Sequence, residues 1–211
     1  MSVHLKYNKN DFKTRDMSYL YESNIDKKEF FETKQTIDKA MPIIRNFFGV
    51  DRLNTIYDIC SGHSFSCFYA VTRDVTKYAI SIDYRNPEST YKISSYYPQF
   101  MSRVAYKEAD IFLTDFKIDS NSVVLGIHPC RDLAFRVAEI AIQNRVPVVL
   151  VPCCKGGNVK SWIDSFDNLS DYQRYTMKIA EFIDVNNYEI RVKKINEIYT
   201  PKNNIIIGLP R

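Results

Sequence analysis

An α/β fold with a mainly parallel sheet is what this sequence predicts, and three observations predict it. Short apolar runs alternate with segments of helical period along the 211 residues. Two of those runs, Ser122–Ile127 and Pro147–Val151, are continuously apolar between polar flanks, as strands buried on both faces are. The last two runs are joined by a short turn at Thr200-Pro201-Lys202-Asn203-Asn204, and strands so closely connected must pair antiparallel.

Taken in order, Met1–Asn24 is polar, rich in Tyr, Lys and Asn, and has no period, so residues 1–25 are expected to form an irregular arm. One domain is expected over 26–211. Asp26 with Glu29 has the form of a capping box, and Phe30, Ile37, Met41, Ile44 and Phe48 recur at helical spacing. This N-terminal amphipathic helix is expected to serve as core and lid. Pro42 falls inside it, where a missing backbone donor predicts a kink, or two helices meeting near Met41.

The first strand is Thr55–Ile59, followed by a turn and a helix from about Ser64 to Arg73. Tyr78–Ile82 is the second strand, and the helix after it opens at Pro87 and runs to about Tyr97. Val104–Lys107 makes a short third strand with Glu108, Ala109 and Asp110 at its exit. After the fourth strand, Ser122–Ile127, one helical face is traced by Leu133, Val137, Ile140 and Ala141. The fifth strand, Pro147–Val151, leads into a loop at Gly156-Gly157-Asn158. Ser170 with Gln173 is a second capping box, and Tyr172, Thr176, Ile179 and Ile183 give the matching face of the last helix. Tyr188–Ile195 and Asn203–Leu209 close the chain as the antiparallel pair.

Composition narrows the function classes. The 29 Lys and Arg against 25 Asp and Glu give a net charge of +4, too mild to announce a nucleic-acid binder by itself. Five cysteines are an odd number without a dense extracellular spacing, and the N-terminus lacks the apolar core of a secretory signal, so a reduced, cytoplasmic protein is expected. No apolar run approaches the roughly 20 residues that span a bilayer, and no membrane partner is expected.

The most informative stretch is Ile56–Phe68, I-Y-D-I-C-S-G-H-S-F-S-C-F: an apolar run ending near an acid, a turn of small residues around Gly62, then a helix. Strand, small-residue turn and helix in that order form a nucleotide-binding outline. The second strand is again followed by an acid, Asp83. In an open parallel sheet ligands sit beyond the carboxyl ends of the strands, so Asp58, Asp83, Asp110, His128 and Cys153 are expected to converge on one crevice.

Five alternating β/α units closed by an antiparallel hairpin resemble the class I S-adenosylmethionine-dependent methyltransferases, which implies a doubly wound, seven-stranded sheet over nearly the whole chain. V-L-G-I-H-P-C-R-D-L-A (124 to 134), V-V-L-V-P-C-C (148 to 154) and P-K-N-N-I-I-I-G (201 to 208) resemble a subset of that family carrying H-x-C after strand four and P-C-C after strand five. The subset includes domains related to tRNA methyltransferases. The resemblance implies S-adenosyl-L-methionine as cofactor, with the turn Cys60, Ser61, Gly62 and Ser64 against its methionine part. It implies Asp83, with Tyr84 beside it, at the ribose diol, and Asp110 with Ile111 at the adenine edge. The family's turn has glycines where Cys60 and Ser64 stand here. His128 lies where the methyl group meets its acceptor, as a base or a positioning group and a further cofactor contact.

Several readings of the cysteines stay open. Cys130 and Cys153 resemble in placement the nucleophiles of RNA cytosine-C5 methyltransferases. With His128 and Cys154 they could instead hold zinc, but no C-x-x-C spacing supports this and no metal is expected. Or they pack as small buried side chains under a loop. His63 is read as a turn residue. Arg191, Lys193, Lys194 and Lys202 are read as a solvated face that could meet RNA. The expectation is thus a methyltransferase acting on RNA, with tRNA favoured. The alternative is a catalytically silent cofactor-binding or interaction module.

Overall fold

The computed structural model describes residues 27–85, 88–96, 98–153 and 169–211. The arm at 1–25, Asp26 of the first capping box, Pro87, Cys154 and the loop at 156–158 lie outside the described residues.

The elements are α1 (Lys27–Phe48), β1 (Leu53–Ile59), α2 (Phe65–Thr72), β2 (Thr76–Asp83), α3 (Glu88–Tyr96), a 3-10 turn (Pro98–Arg103) and β3 (Val104–Glu108). There follow β4 (Val123–Ile127), α4 (Leu133–Asn144), β5 (Val148–Val151), α5 (Asp171–Val185), β6 (Tyr188–Lys194) and β7 (Asn204–Pro210). The seven strands form one sheet in the order β3-β2-β1-β4-β5-β7-β6, with β7 antiparallel to both neighbours and the other pairings parallel. β1, β2 and β3 reach one to three residues further than expected, while β4, β5 and β6 are each one residue shorter and β7 is shifted by one.

Both faces of the sheet are covered, and strand alternation decides which residue faces which helix. Val149, Val151, Ile205, Ile207 and Leu209 pack with Phe30, Ile37, Met41, Ile44, Phe65 and Phe68 of α1 and α2. Val148, Leu150 and Ile206 pack on the opposite face with Val137, Ile140, Tyr175, Ile179 and Ile183 of α4 and α5. The continuously apolar β5 therefore feeds two cores at once.

Two expectations are corrected. Pro42 does not divide the first helix: Lys27–Phe48 is one helix, with the proline on its exposed side. A proline on the solvent side of a helix leaves its unpaired carbonyl where water can reach it. In α5 the fully buried aromatic is Tyr175, unexposed, while Tyr172 is only half-buried and accepts the backbone N–H of Asn204 at 2.9 Å. The Ser170 capping box is present as expected: Gln173 N donates to Ser170 Oγ, and Ser170 N to Gln173 Oε1 at 2.9 Å. No helix among the described residues is long and apolar enough to cross a membrane.

Candidate functional site

The strand order reverses between β1 and β4, which pair through Ile56–Val123, Tyr57–Val124 and Asp58–Leu125. Connections leave in opposite directions from these two strands, and a crevice opens beyond their carboxyl ends. A cavity of about 340 Å³ is found there, lined by α1 (Lys28, Glu29, Glu32, Thr33), by β1 and its turn (Asp58, Cys60, Ser61, Gly62, Ser66), and by Ile127 and His128.

The turn after β1 is built from left-handed residues. Cys60, Gly62 and Ser64 have φ of 63°, 51° and 63°. The two positions at which side chains replace the expected glycines are thus positions where glycine would be least strained, and each costs on the order of 1 kcal/mol. Hydrogen bonds offset that strain. Ser61 Oγ and Ser64 Oγ both meet Ser81 Oγ on β2, at 2.5 and 2.6 Å, and Ser64 Oγ lies 3.5 Å from Thr90 Oγ1. The amides of Cys60 and Ser61 donate to Ile82 O at 2.9 and 3.2 Å. Gly62 N donates to Asp83 Oδ2 at 2.9 Å. Hydroxyls on β2 hold the turn in a shape that glycine would adopt without help.

Asp58 sits under this turn, 2% exposed, and Ser66 Oγ on α2 donates to its Oδ2. Burial pushes its carboxyl up to about 7, the charges of Asp83 and Glu29 push the same way, and the Ser66 hydrogen bond opposes them. Cys60 is pushed up to about 12 by burial and by the carboxylates of Asp83 and Asp58, so it is a neutral thiol.

On the β4 side, His128 has φ 62°, and its amide donates to Val151 O at 2.9 Å. Its Nε2 lies 2.6 Å from Oε2 of Glu32, a carboxylate on α1 that is 2% exposed, and Lys28 Nζ lies 3.7 Å from Glu32 Oε1. Among the described residues, the buried side-chain polar atoms without a hydrogen-bond partner are Glu32 Oε1, Asp58 Oδ1 and His128 Nδ1. Leaving such an atom unsatisfied costs about 1–3 kcal/mol. All three belong to residues around the same cavity.

The cysteines meet each other. Cys130 Sγ and Cys153 Sγ are 3.4 Å apart, and each is 3.6 Å from the carbonyl oxygen of His128. No group of three or more His, Cys, Asp or Glu among the described residues is placed to hold a metal ion.

Asp83, Tyr84, Asp110 and Ile111 do not line this cavity. Asp83 reaches it through Gly62. Tyr84 is 64% exposed. Asp110 is occupied locally, its Oδ1 accepting the Phe112 amide at 2.9 Å while its carbonyl accepts Leu113 and Thr114 amides. Ile111 is buried, and its carbonyl accepts Arg136 Nε at 2.8 Å.

Sequence reasoning missed Glu32, Ser66 and Ser81. Glu32 carried a signal: it adjoins Phe30 and Phe31 at the start of an apolar stripe, a place where a carboxylate needs a partner. Ser81 carried none, since a serine inside a strand is unremarkable until the facing turn is known.

No protein-family model matches the chain, and no curated protein matches it in sequence. Solved structures do match in shape. In the complex between the Trm112 methyltransferase activator of Haloferax volcanii and a proposed methyltransferase, the matching chain has a TM-score of 0.61 at 11% identity, over 93% of this chain and 96% of that one. The magnesium protoporphyrin IX methyltransferase of Synechocystis PCC 6803, with bound SAH, has a TM-score of 0.56 at 12% identity, over 96% and 97%. A proposed tRNA methyltransferase of Streptococcus pneumoniae has a TM-score of 0.51 at 13% identity, over 81% and 68%. The likeness establishes the fold: this chain has a Rossmann-like α/β fold with a seven-stranded sheet.

Proposed function

We propose that the chain is an S-adenosylmethionine-dependent methyltransferase whose acceptor is an RNA, tRNA first. The observation that carries this reading is the turn after β1, left-handed at Cys60, Gly62 and Ser64 and tied through Gly62 N to the acid ending β2. That turn and that acid stand on adjacent strands at the switch point, where an adenosine ligand binds in such sheets.

The residues present suit the cofactor. The cavity wall carries acceptors, with Glu29 and Asp58 around it and the buried Asp58 Oδ1 lacking a donor, which fits a ligand bearing an ammonium group. In this reading Cys60, Ser61, Gly62 and Ser64 lie along the methionine part. Asp83, whose carboxylate accepts two backbone amides among the described residues, has lone pairs left for a diol, with Tyr84 beside it. Asp110 and Ile111 flank the adenine. Its bound form supplies a methyl group already activated on a sulfonium sulfur, so the protein's tasks are orientation, exclusion of water and uptake of a proton. His128, beyond β4, is the residue placed for the last of these.

The RNA acceptor is favoured by exposed side chains that could meet bases and phosphates. Tyr84, Tyr91, Phe112 and Leu113 are exposed near the carboxyl ends of β2 and β3, and Arg191, Lys193 and Lys194 are exposed on β6. The fold likeness to a proposed tRNA methyltransferase points the same way.

Calorimetric titration with S-adenosylmethionine, S-adenosylhomocysteine and NAD tests the cofactor. Binding of the first two supports the reading, and binding of NAD alone overturns it. Incubation with labelled S-adenosylmethionine and total tRNA tests the acceptor. Cofactor binding without transfer to any RNA would favour the silent module.

A further inference from the structure

Glu32 has no role in the reading above, yet its placement is specific. It stands on the second turn of α1, 2% exposed, beside the core residues Phe30 and Phe31, and its Oε2 is directed at His128. Among the described residues, the titratable groups around the imidazole are Lys28, Glu29 and Glu32 from α1, Asp58 and Cys60 from β1 and its turn, and the thiols of Cys130 and Cys153 that flank the His128 carbonyl. Of these, Glu32 is the one whose atom lies within hydrogen-bond distance of a ring nitrogen. A carboxylate only accepts, so the Nε2 it meets at 2.6 Å carries the proton. The other nitrogen, Nδ1, is then a bare acceptor, and it is the atom left without a partner.

We propose that Glu32 is a positioning residue: it fixes His128 in the Nε2–H tautomer, so that the imidazole at the end of β4 stands ready to take a proton from the methyl acceptor. This rests on the methyl-transfer reading. In the step it serves, an acceptor nitrogen or oxygen forms a bond to the methyl carbon while the carbon–sulfur bond breaks and its electron pair stays on sulfur. The proton displaced from the acceptor passes to the imidazole, and the Glu32 carboxylate balances the resulting charge. Because Glu32 belongs to α1, the same pair makes the tautomer depend on the first helix being docked over the crevice.

The test is nitrogen NMR of the full chain labelled with 15N-histidine, at a pH where the imidazole is neutral. The chain has three histidines, and the His128→Gln spectrum identifies the signal. One tautomer is expected in the wild type, protonated at Nε2. Glu32→Gln is expected to give a mixture, since an amide can donate as well as accept, and Glu32→Asp to restore part of the Nε2–H form. A wild-type ring protonated at Nδ1, or a ring unchanged by Glu32→Gln, overturns the proposal. Should Glu32→Gln not fold, the wild-type and Glu32→Asp spectra still decide. Calorimetry of the wild type with S-adenosylmethionine keeps the two readings apart. A wild type that shows the tautomer but binds no cofactor refutes methyl transfer and leaves the positioning role standing.

Discussion

The backbone amide of Gly62 donates to Asp83 Oδ2 at 2.9 Å, so the acid that ends β2 shapes the turn that follows β1. The two strands are neighbours in register, with Asp58 opposite Ser81 and Ile59 opposite Ile82. An acid expected only as a ligand contact is therefore also a support for the loop beside it. Asp83→Ala removes both roles. A hydrogen bond to a charged group is worth about 1.5–3 kcal/mol, so S-adenosylmethionine binding is expected to weaken roughly 10- to 100-fold in calorimetry. Asp83→Asn keeps an acceptor for Gly62 and should weaken it less. Equal losses in the two variants would show that the turn contact is irrelevant.

The substituted glycines separate strain from hydrogen bonding. Cys60→Gly relieves a residue at φ 63° whose thiol makes no bond to the Ser81 hydroxyls, and should stabilise the protein by up to about 1 kcal/mol in urea unfolding. Ser64→Gly relieves the same strain but deletes the buried contact to Ser81 Oγ, worth about 1 kcal/mol, so no net gain is expected. A larger gain at Ser64 than at Cys60 would refute the argument that hydroxyls hold this turn.

Asp58 makes stability depend on pH. Its folded carboxyl is raised from 3.8 to about 7, so the folded state binds the proton more tightly than the unfolded chain. The stability this supplies is present below about pH 4 and is lost as pH rises through about 7. A shift of this size corresponds to a few kcal/mol at most. Asp58→Asn removes the dependence. The stability of the wild type relative to the variant, from urea unfolding at a series of pH values, should therefore fall between pH 4 and pH 8. A difference that stays flat would show that the carboxyl is not desolvated as described.

Cys153 tests the nucleophilic mechanism. Its sulfur faces Cys130 Sγ and the His128 carbonyl, contacts that suit a packed thiol. Cys153→Ala is expected to retain methyl transfer within a few-fold. Loss of transfer by several orders of magnitude, with cofactor binding intact, would instead assign it the covalent role.

The sequence by itself determined the element order, the antiparallel end of the sheet, the Ser170 capping box, and the placing of Asp58 and Asp83 at strand ends and of Gly62 in the turn between. These depend on periodicity and turn chemistry within a few residues of chain. It could not determine what meets what across the sheet. That Ser64 takes the left-handed shape of glycine depends on Ser81 and Thr90, 17 and 26 residues away from it. That His128 finds Glu32, 96 positions earlier in the chain, depends on folding that brings α1 to the end of β4. Pro42 broke no helix because tertiary packing left its side of α1 facing water. Local patterns fix where a side chain stands along its own element. Its hydrogen-bond partner, its burial and its proton are set by elements that only the folded sheet brings alongside.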